Sequence, residues 1–546
     1  MSRSWLDALR GLRNGATAPT PLDRQLLRGR AAYAALGLAP DRPVTPVREV
    51  AAPFEILDPG TGGLAFPRIL RDGASGTNLY EVVEPVLAGP EREACAFLRE
   101  TLVKTLPVEA ADSSDREARL LAAADQAIVD HSVLLDPVGR ERVRYALARD
   151  LLGYGPMDVV MRDPLIEDIS CDGPGIPLYV FHRRFESMRT TVVFDDEIEL
   201  DRYVMRLGQR AGKQISIADP ILDATLPDSS RLQATLSREV TTRGSSFTIR
   251  KFRSDPLTPP DLIAYGTLDP DLAATLWLAM ESGRNLLVAG GTASGKTTTL
   301  NALCTFIPLQ KKIVSIEETR EINLAHENWI ASVTRTGFAG ELSGSKLAGA
   351  VDMYRLLEAA LRQRPEYILV GEVRGAETFT LFQAMSTGHA VYSTMHADSA
   401  EAVVRRLENE PINIPRVLIQ QVDGILIQAS LRVDGKLVRR VVELTEIAGL
   451  DNRTGEILTN TAFRRDRASG QMRFLGKSRI LEEIGESRNL DREAVEAEAR
   501  RRSEILAWMA RRGIRRFDHV TRIFAAYATD PEGVAEAARK DAEDYS

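Results

Sequence analysis

Cysteine is nearly absent from this 546-residue chain: only Cys95, Cys171 and Cys304 occur, far apart and never as C-x-x-C. Three scattered thiols exclude a disulfide framework and a four-cysteine zinc site built from this chain alone, and they fit a reducing cytoplasm. Histidine is scarce as well, six in all, and no Cys or third His joins His389 and His396 at ligand spacing, so metal ligation by that pair is not expected. Aromatic residues make up 6%, do not interleave with Lys or Arg, and accompany a formal net charge of −7. A general nucleic-acid coat calls for the opposite, a basic excess with stacking rings. The basic runs Lys436 to Arg440 and Arg500 to Arg502 are short and read as solvated strand edges or helix faces. No apolar stretch approaches the roughly 20 residues that cross a bilayer, and the start at Met1 is polar without an apolar core. Any membrane connection is expected to run through a partner.

What is present is an ordinary soluble balance, 44% hydrophobic and 27% charged, in a chain long enough for three or four domains. Residues 1–50 carry clusters of Pro and Gly and read as a flexible arm. Residues 51–154 read as a mixed, then helical, domain, with helical periodicity from Asp115 to Asp150 around a break at Pro137 to Gly139. Residues 155–255 read as a small two-layer α+β domain: strands near Leu178 to His182, Thr191 to Phe194, Leu222 to Leu226, Arg231 to Leu236 and Phe247 to Arg250, and an amphipathic helix from Glu199 to Ala211. Three prolines between Pro256 and Pro260 read as a stiff linker. Residues 261–445 alternate helices with apolar strands at Leu286 to Ala289, Ile313 to Ile316, Tyr367 to Val370 and Ala390 to Thr394, the pattern of a doubly wound parallel sheet. Residues 446–546 open with hairpin-like sequence and then turn helical, a C-terminal extension.

The chemistry concentrates in the loops after those strands. Gly290, Gly291, Thr292, Ala293, Ser294, Gly295, Lys296 and Thr297 fit G-x-x-x-x-G-K-[ST], after a strand and before a helix that continues through Thr298. Glycines let backbone N–H groups approach a polyphosphate, Lys296 adds a point charge for the outer phosphates, and Thr297 offers a hydroxyl to Mg²⁺. ATP with Mg²⁺ is the expected ligand. After the next strand stand Glu317, Glu318 and Glu321, placed to orient or deprotonate water. Glu372 ends the apolar run Ile368 to Val370 and Gly371, a position suited to the Mg²⁺ shell. His389 and His396 bracket the last apolar strand and are candidate γ-phosphate sensors.

The phosphate loop, the segment Ser315 to Glu321, the segment Leu369 to Arg374 and the pair Thr387 to His389 and Thr394 to His396, in that order, strongly resemble the secretion ATPases of type II and type IV systems. Upstream, Arg231 to Thr235 and Thr241 to Phe252 resemble the archaeal branch, which drives archaella and adhesion pili. The resemblance covers about residues 150–445 and implies a cytoplasmic homo-hexamer at the inner face of the membrane. Each subunit would pair a PAS-like domain with a RecA-like motor domain, and ATP hydrolysis would move a polytopic membrane platform protein and, through it, pilin-like or archaellin-like filament subunits. It also implies that Arg231, Arg243 and Arg250 reach the nucleotide and that Glu317 activates water. Glu318 stands where many relatives have Asp, which leaves the division of labour among Glu317, Glu318 and Glu321 open. A RecA-like motor that translocates nucleic acid is the alternative, although no nucleic-acid partner is expected from the charge.

Overall fold

The computed structural model describes residues 54–60, 63–105, 113–252, 255–335, 351–375, 377–433 and 436–543; the arm predicted over residues 1–50 lies outside them. No helix among the described residues is long and apolar enough to cross a membrane. The chain divides into two compact units, with the change from one to the other at Phe252 and Arg253.

The unit ending at Phe252 is built on a mostly antiparallel nine-stranded sheet. Its central strands Ile166–Cys171, Pro177–His182 and Ser246–Arg250 alternate buried and exposed residues or nearly so, one face packed and one face wet. The packed face is covered by the helix Glu197–Arg210, whose buried Leu200, Tyr203, Val204 and Leu207 recur at helical spacing and whose N-terminus is capped by Asp196. The sheet departs from the domain boundary expected at residue 155. Strand Asn78–Val83 pairs in parallel with Glu186–Val193, placing Leu79 opposite Arg189 and Tyr80 opposite Thr190, so strands from both sides of that boundary share one sheet. A parallel pairing across a hundred residues leaves no local pattern to read. The helices Gly89–Thr105, Ser113–Asp130 and Pro137–Leu151 gather around their own cluster of Leu98, Leu102, Leu120, Val143 and Leu147.

The second unit holds another nine-stranded sheet. Its parallel part runs Trp329–Val333, Ile313–Glu317, Tyr367–Val370, Ala390–Met395, Leu286–Gly290, Gly424–Val433, and three successive antiparallel pairings then extend it through Lys436–Leu450, Ile457–Arg465 and Met472–Phe474. The strands Leu286–Gly290 and Ile313–Glu317 are buried throughout, which is why they read as apolar runs without alternation. Leu286 and Val288 face one core, Leu287 and Ala289 the other. The RecA-like part expected for 261–445 is therefore present as a phosphate-loop strand in mid-sheet with covered faces.

Two further expectations change. Strand Lys436–Leu450 runs across the boundary drawn at residue 445, so the C-terminal extension grows out of the motor sheet itself. The expected linker 256–260 is largely structural: Thr258 is fully buried, Asp261 Oδ2 accepts from its backbone N and hydroxyl at 3.0 and 2.9 Å, and Pro259 and Pro260 open the buried helix Pro259–Ala264. Proline at the first helical turn sacrifices no hydrogen bond, so the same residues that stiffen a linker also start a helix. The C-terminal helices pack on the helix Pro270–Glu281 through Trp277, which lies near Phe306, Phe524 and Tyr527.

Candidate active site

The phosphate loop leaves the strand Leu286–Gly290 and enters the helix Lys296–Leu303 with Gly295 at its N-cap, in the left-handed region at φ +93°. Gly290 is required by space, since a Cβ there would stand 2.2 Å from the Gln428 carbonyl oxygen. Gly291, by contrast, is open: nothing lies within 4 Å of where its Cβ would be. Ala293 adopts φ +57° without being glycine. Ser294 is buried and donates its hydroxyl to the Gly291 carbonyl at 2.9 Å. Lys296 Nζ donates to the same carbonyl at 3.0 Å, so the loop curls around its own lysine. Burial holds the Lys296 ammonium below the usual lysine range, and the Glu372 charge opposes that shift.

Parallel strands on the same side of the sheet end near this loop, and each brings a candidate group. Glu317 closes Ile313–Glu317 with 2% exposure. Its Oε1 accepts from the backbone N–H groups of Glu321 and Ile322, both at 2.9 Å, and its buried Oε2 has no hydrogen-bond partner. Burial pushes this carboxyl up to about 7, while the two N–H donors pull the other way. Glu318, one residue on, points outward and meets Arg374 at 3.4 Å. Glu321 contributes its N–H to Glu317. The three acids thus differ sharply: one is buried and poised near neutral, one is solvated, and one anchors through its backbone.

Glu372 follows Tyr367–Val370, and its Oε2 accepts from Arg374 Nη2 at 2.9 Å. His396 follows Ala390–Met395 and stands between two groups of the site, with Nδ1 3.4 Å from Lys296 Nζ and Nε2 3.2 Å from Glu372 Oε1. Burial lowers the imidazole below the usual histidine range despite the Glu372 carboxylate. An open pocket of about 380 Å³ is lined by Gly290, Gly291, Thr292, His396, Asp398 and Arg406. Thr297 is half-buried and Thr298 exposed at the helix start.

His389 is not part of this group. It precedes the strand whose far end carries His396, and its Nδ1 lies 3.1 Å from the Thr387 hydroxyl and 3.2 Å from the Ala384 carbonyl. Because Leu286–Gly290 and Ala390–Met395 run parallel, with Leu286 opposite Tyr392 and Ala289 opposite Met395, a residue before one strand sits at the edge remote from the loop. Bracketing a strand separates two residues by its whole length. Arg231, Arg243 and Arg250 belong to the unit that ends at Phe252. Arg231 pairs with Asp223 at 2.8 Å and lies opposite Arg250 in the strand register, and Arg243 packs against Gly173.

A family model for type II/IV secretion system proteins matches residues 161–522, which span both units. The chain belongs to that family. Among similar proteins, an uncharacterized protein of Methanocaldococcus jannaschii is 40% identical over 356 residues, 65% of this chain and 63% of the relative. The probable conjugal transfer protein TrbB of Sinorhizobium fredii is 31% identical over 43% of this chain and 70% of its own. The ATPase DotB of Yersinia pseudotuberculosis is a solved structure 17% identical to it, with a TM-score of 0.39 over 70% of this chain and 94% of the other.

In this secretion-family protein the sequence reading missed the residues that hold the loop. Arg439, read as part of a solvated strand edge, donates Nε–H to the Ala293 carbonyl at 3.0 Å. Gln428, 2% exposed, puts its amide nitrogen 3.0 Å from where a Gly295 Cβ would stand. Both come from the hairpin next to the phosphate-loop strand, and no motif marks them. Arg374, quoted with its strand but given no role, ties Glu318 to Glu372.

Proposed function

We propose that the protein is a Mg²⁺-dependent ATPase that works as a homo-hexamer and powers the assembly or movement of a type IV pilus-like or archaellum filament, or protein secretion. It would act at the inner face of the cell membrane through a polytopic platform protein. The observation that carries this reading is the convergence of Lys296, Glu317 and Glu372 from different parallel strands at one sheet edge. Lys296 and the loop N–H groups would bind the β- and γ-phosphates. Glu317, with one oxygen anchored and the other unpartnered, would orient the attacking water and take its proton. Mg²⁺ would be held by the Thr297 hydroxyl, the Glu372 side chain and the phosphates. His396, in reach of both Lys296 and Glu372, would register the γ-phosphate. Arg231, Arg243 and Arg250 would supply positive charge to the transition state, a contribution that can reach ~10³-fold or more.

The test is ATP hydrolysis by the purified protein with Lys296→Ala and Glu372→Gln variants, with and without lipid vesicles and single-stranded DNA. Slow Mg²⁺-dependent turnover that rises with oligomer concentration, ignores DNA and is lost in both variants is expected. Turnover that survives Lys296→Ala overturns the reading, and strong, salt-sensitive stimulation by DNA favours the nucleic-acid motor instead.

A further inference from the structure

The hairpin Gly424–Val433 and Lys436–Leu450 pairs directly with the phosphate-loop strand, with Ala289 opposite Ile427 and Gly290 opposite Gln428. Within the hairpin, Ser430 lies opposite Arg439, so Arg439 is two residues beyond the Gln428 level and reaches the loop above Gly290. Four contacts fall on this short stretch. The Gln428 carbonyl blocks any side chain at Gly290, the Gln428 amide and the Arg439 stem crowd the space beside Gly295 at 3.0 and 3.2 Å, and Arg439 Nε bonds the carbonyl of Ala293.

Ala293 is the residue that most needs holding. A non-glycine residue at positive φ costs on the order of 1 kcal/mol or more and persists where its surroundings determine it. Its carbonyl accepts a charge-assisted hydrogen bond from the guanidinium of the exposed Arg439 at 3.0 Å. Arg439 has no carboxylate partner among the described residues, although the chain carries 77 acidic side chains. Its neighbour Arg440 donates to the Tyr265 carbonyl at 2.7 Å, which pins the strand to the body of the unit and leaves Arg439 aimed at the loop. Gln428 adds a buried Oε1 without a hydrogen-bond partner at the same wall.

We propose that Arg439 is a positioning residue of the phosphate loop: its Nε–H bond to the Ala293 carbonyl holds the loop in the form that takes a nucleoside triphosphate. This rests on the nucleotide-binding reading of Lys296 and its loop. The bond is needed equally with substrate and transition state bound, so its loss acts on binding and leaves the chemical step alone. Losing one charge-assisted hydrogen bond to the loop predicts about a 10-fold weaker KM for ATP.

The experiment compares wild type, Arg439→Ala, Arg439→Lys, Lys296→Ala and the exposed Arg464→Ala on the neighbouring strand, measuring KM, kcat, the Kd of a fluorescent ADP analogue and Tm. Arg439→Ala is expected to raise KM and Kd about 10-fold with kcat within about 2-fold, Arg439→Lys to recover most of the loss, and Arg464→Ala to match wild type. A role confined to packing the hairpin would lower Tm and leave KM and Kd where they are. Wild-type KM and Kd in Arg439→Ala, or a lysine variant no better than alanine, overturns the proposal. Absence of nucleotide binding in the wild type, or binding that survives Lys296→Ala, fails the underlying reading instead.

Discussion

Glu317 and Ile322 are joined by a 2.9 Å hydrogen bond from the backbone N–H to Oε1, and the residue between strand and turn that makes it is nearly sealed from solvent. That bond, with its twin from Glu321, fixes a carboxylate at a strand end while leaving the second oxygen unpartnered. A group so held is costly to ionise and well oriented when it does.

The cost makes a prediction about pH. Glu317 has its carboxyl raised from 4.5 to about 7. A raised acid contributes stability that is fully present below the unfolded value and is lost as pH rises through the folded value. Glu317→Gln mimics the protonated form, so its stability advantage should grow between about pH 4.5 and 7 and level off above, reaching roughly 3 kcal/mol. Thermal melts at pH 5 and pH 8 check this; equal Tm differences at both pH values contradict it. Wild-type kcat should rise with pH through about 7, since only the ionised carboxylate accepts a proton, and the glutamine variant should lack turnover at every pH.

The position of His396 between Lys296 and Glu372 predicts a different split. His396→Gln removes the contact to one or both partners without disturbing the loop backbone. Nucleotide Kd is expected to stay within about 3-fold while kcat falls by about 10-fold or more, the signature of a group acting after binding. His389→Gln, at the remote sheet edge, is expected to leave both unchanged. Steady-state kinetics on the pair decides it.

The glycines of the loop should differ among themselves. Gly290→Ala forces a methyl group to 2.2 Å from the Gln428 carbonyl oxygen, whereas Gly291→Ala meets open space. The first is expected to cost about 1–3 kcal/mol in stability. The second should stay within about 0.5 kcal/mol. Denaturant unfolding of the two variants measures the contrast.

Arg502 tests how the C-terminal helices are attached. Its side chain is 4% exposed, meets Glu281 at 2.7 Å and Glu498 at 2.8 Å, and lies over the rings of Trp277 and Tyr527. Arg502→Ala leaves carboxylates without their buried partner and is expected to destabilise by about 3–5 kcal/mol. Arg502→Met keeps the packing against Trp277 and should cost less. Calorimetry of the two variants separates charge from packing.

The sequence by itself determined the parts of this protein whose signals are local. A strand buried on both faces must be apolar, a polyphosphate loop must be glycine-rich with Lys296 at a fixed offset, and a helix such as Glu197–Arg210 must show its stripe, so each was legible where it stands. The order of the motifs was legible for the same reason, as was the likeness to secretion ATPases. Tertiary structure alone decided what depends on neighbours in space. It put Glu317 rather than Glu318 in the buried position, carried His389 to the far edge of the sheet, joined Asn78–Val83 to a strand a hundred residues later, and turned Pro259 and Pro260 into the start of a helix. It also set the exposed Arg439, on its solvated strand edge, against the phosphate loop and buried Arg502 between Trp277 and Tyr527. Burial, register and pairing are sums over residues far apart in the chain, so they exist only once the sheets have closed.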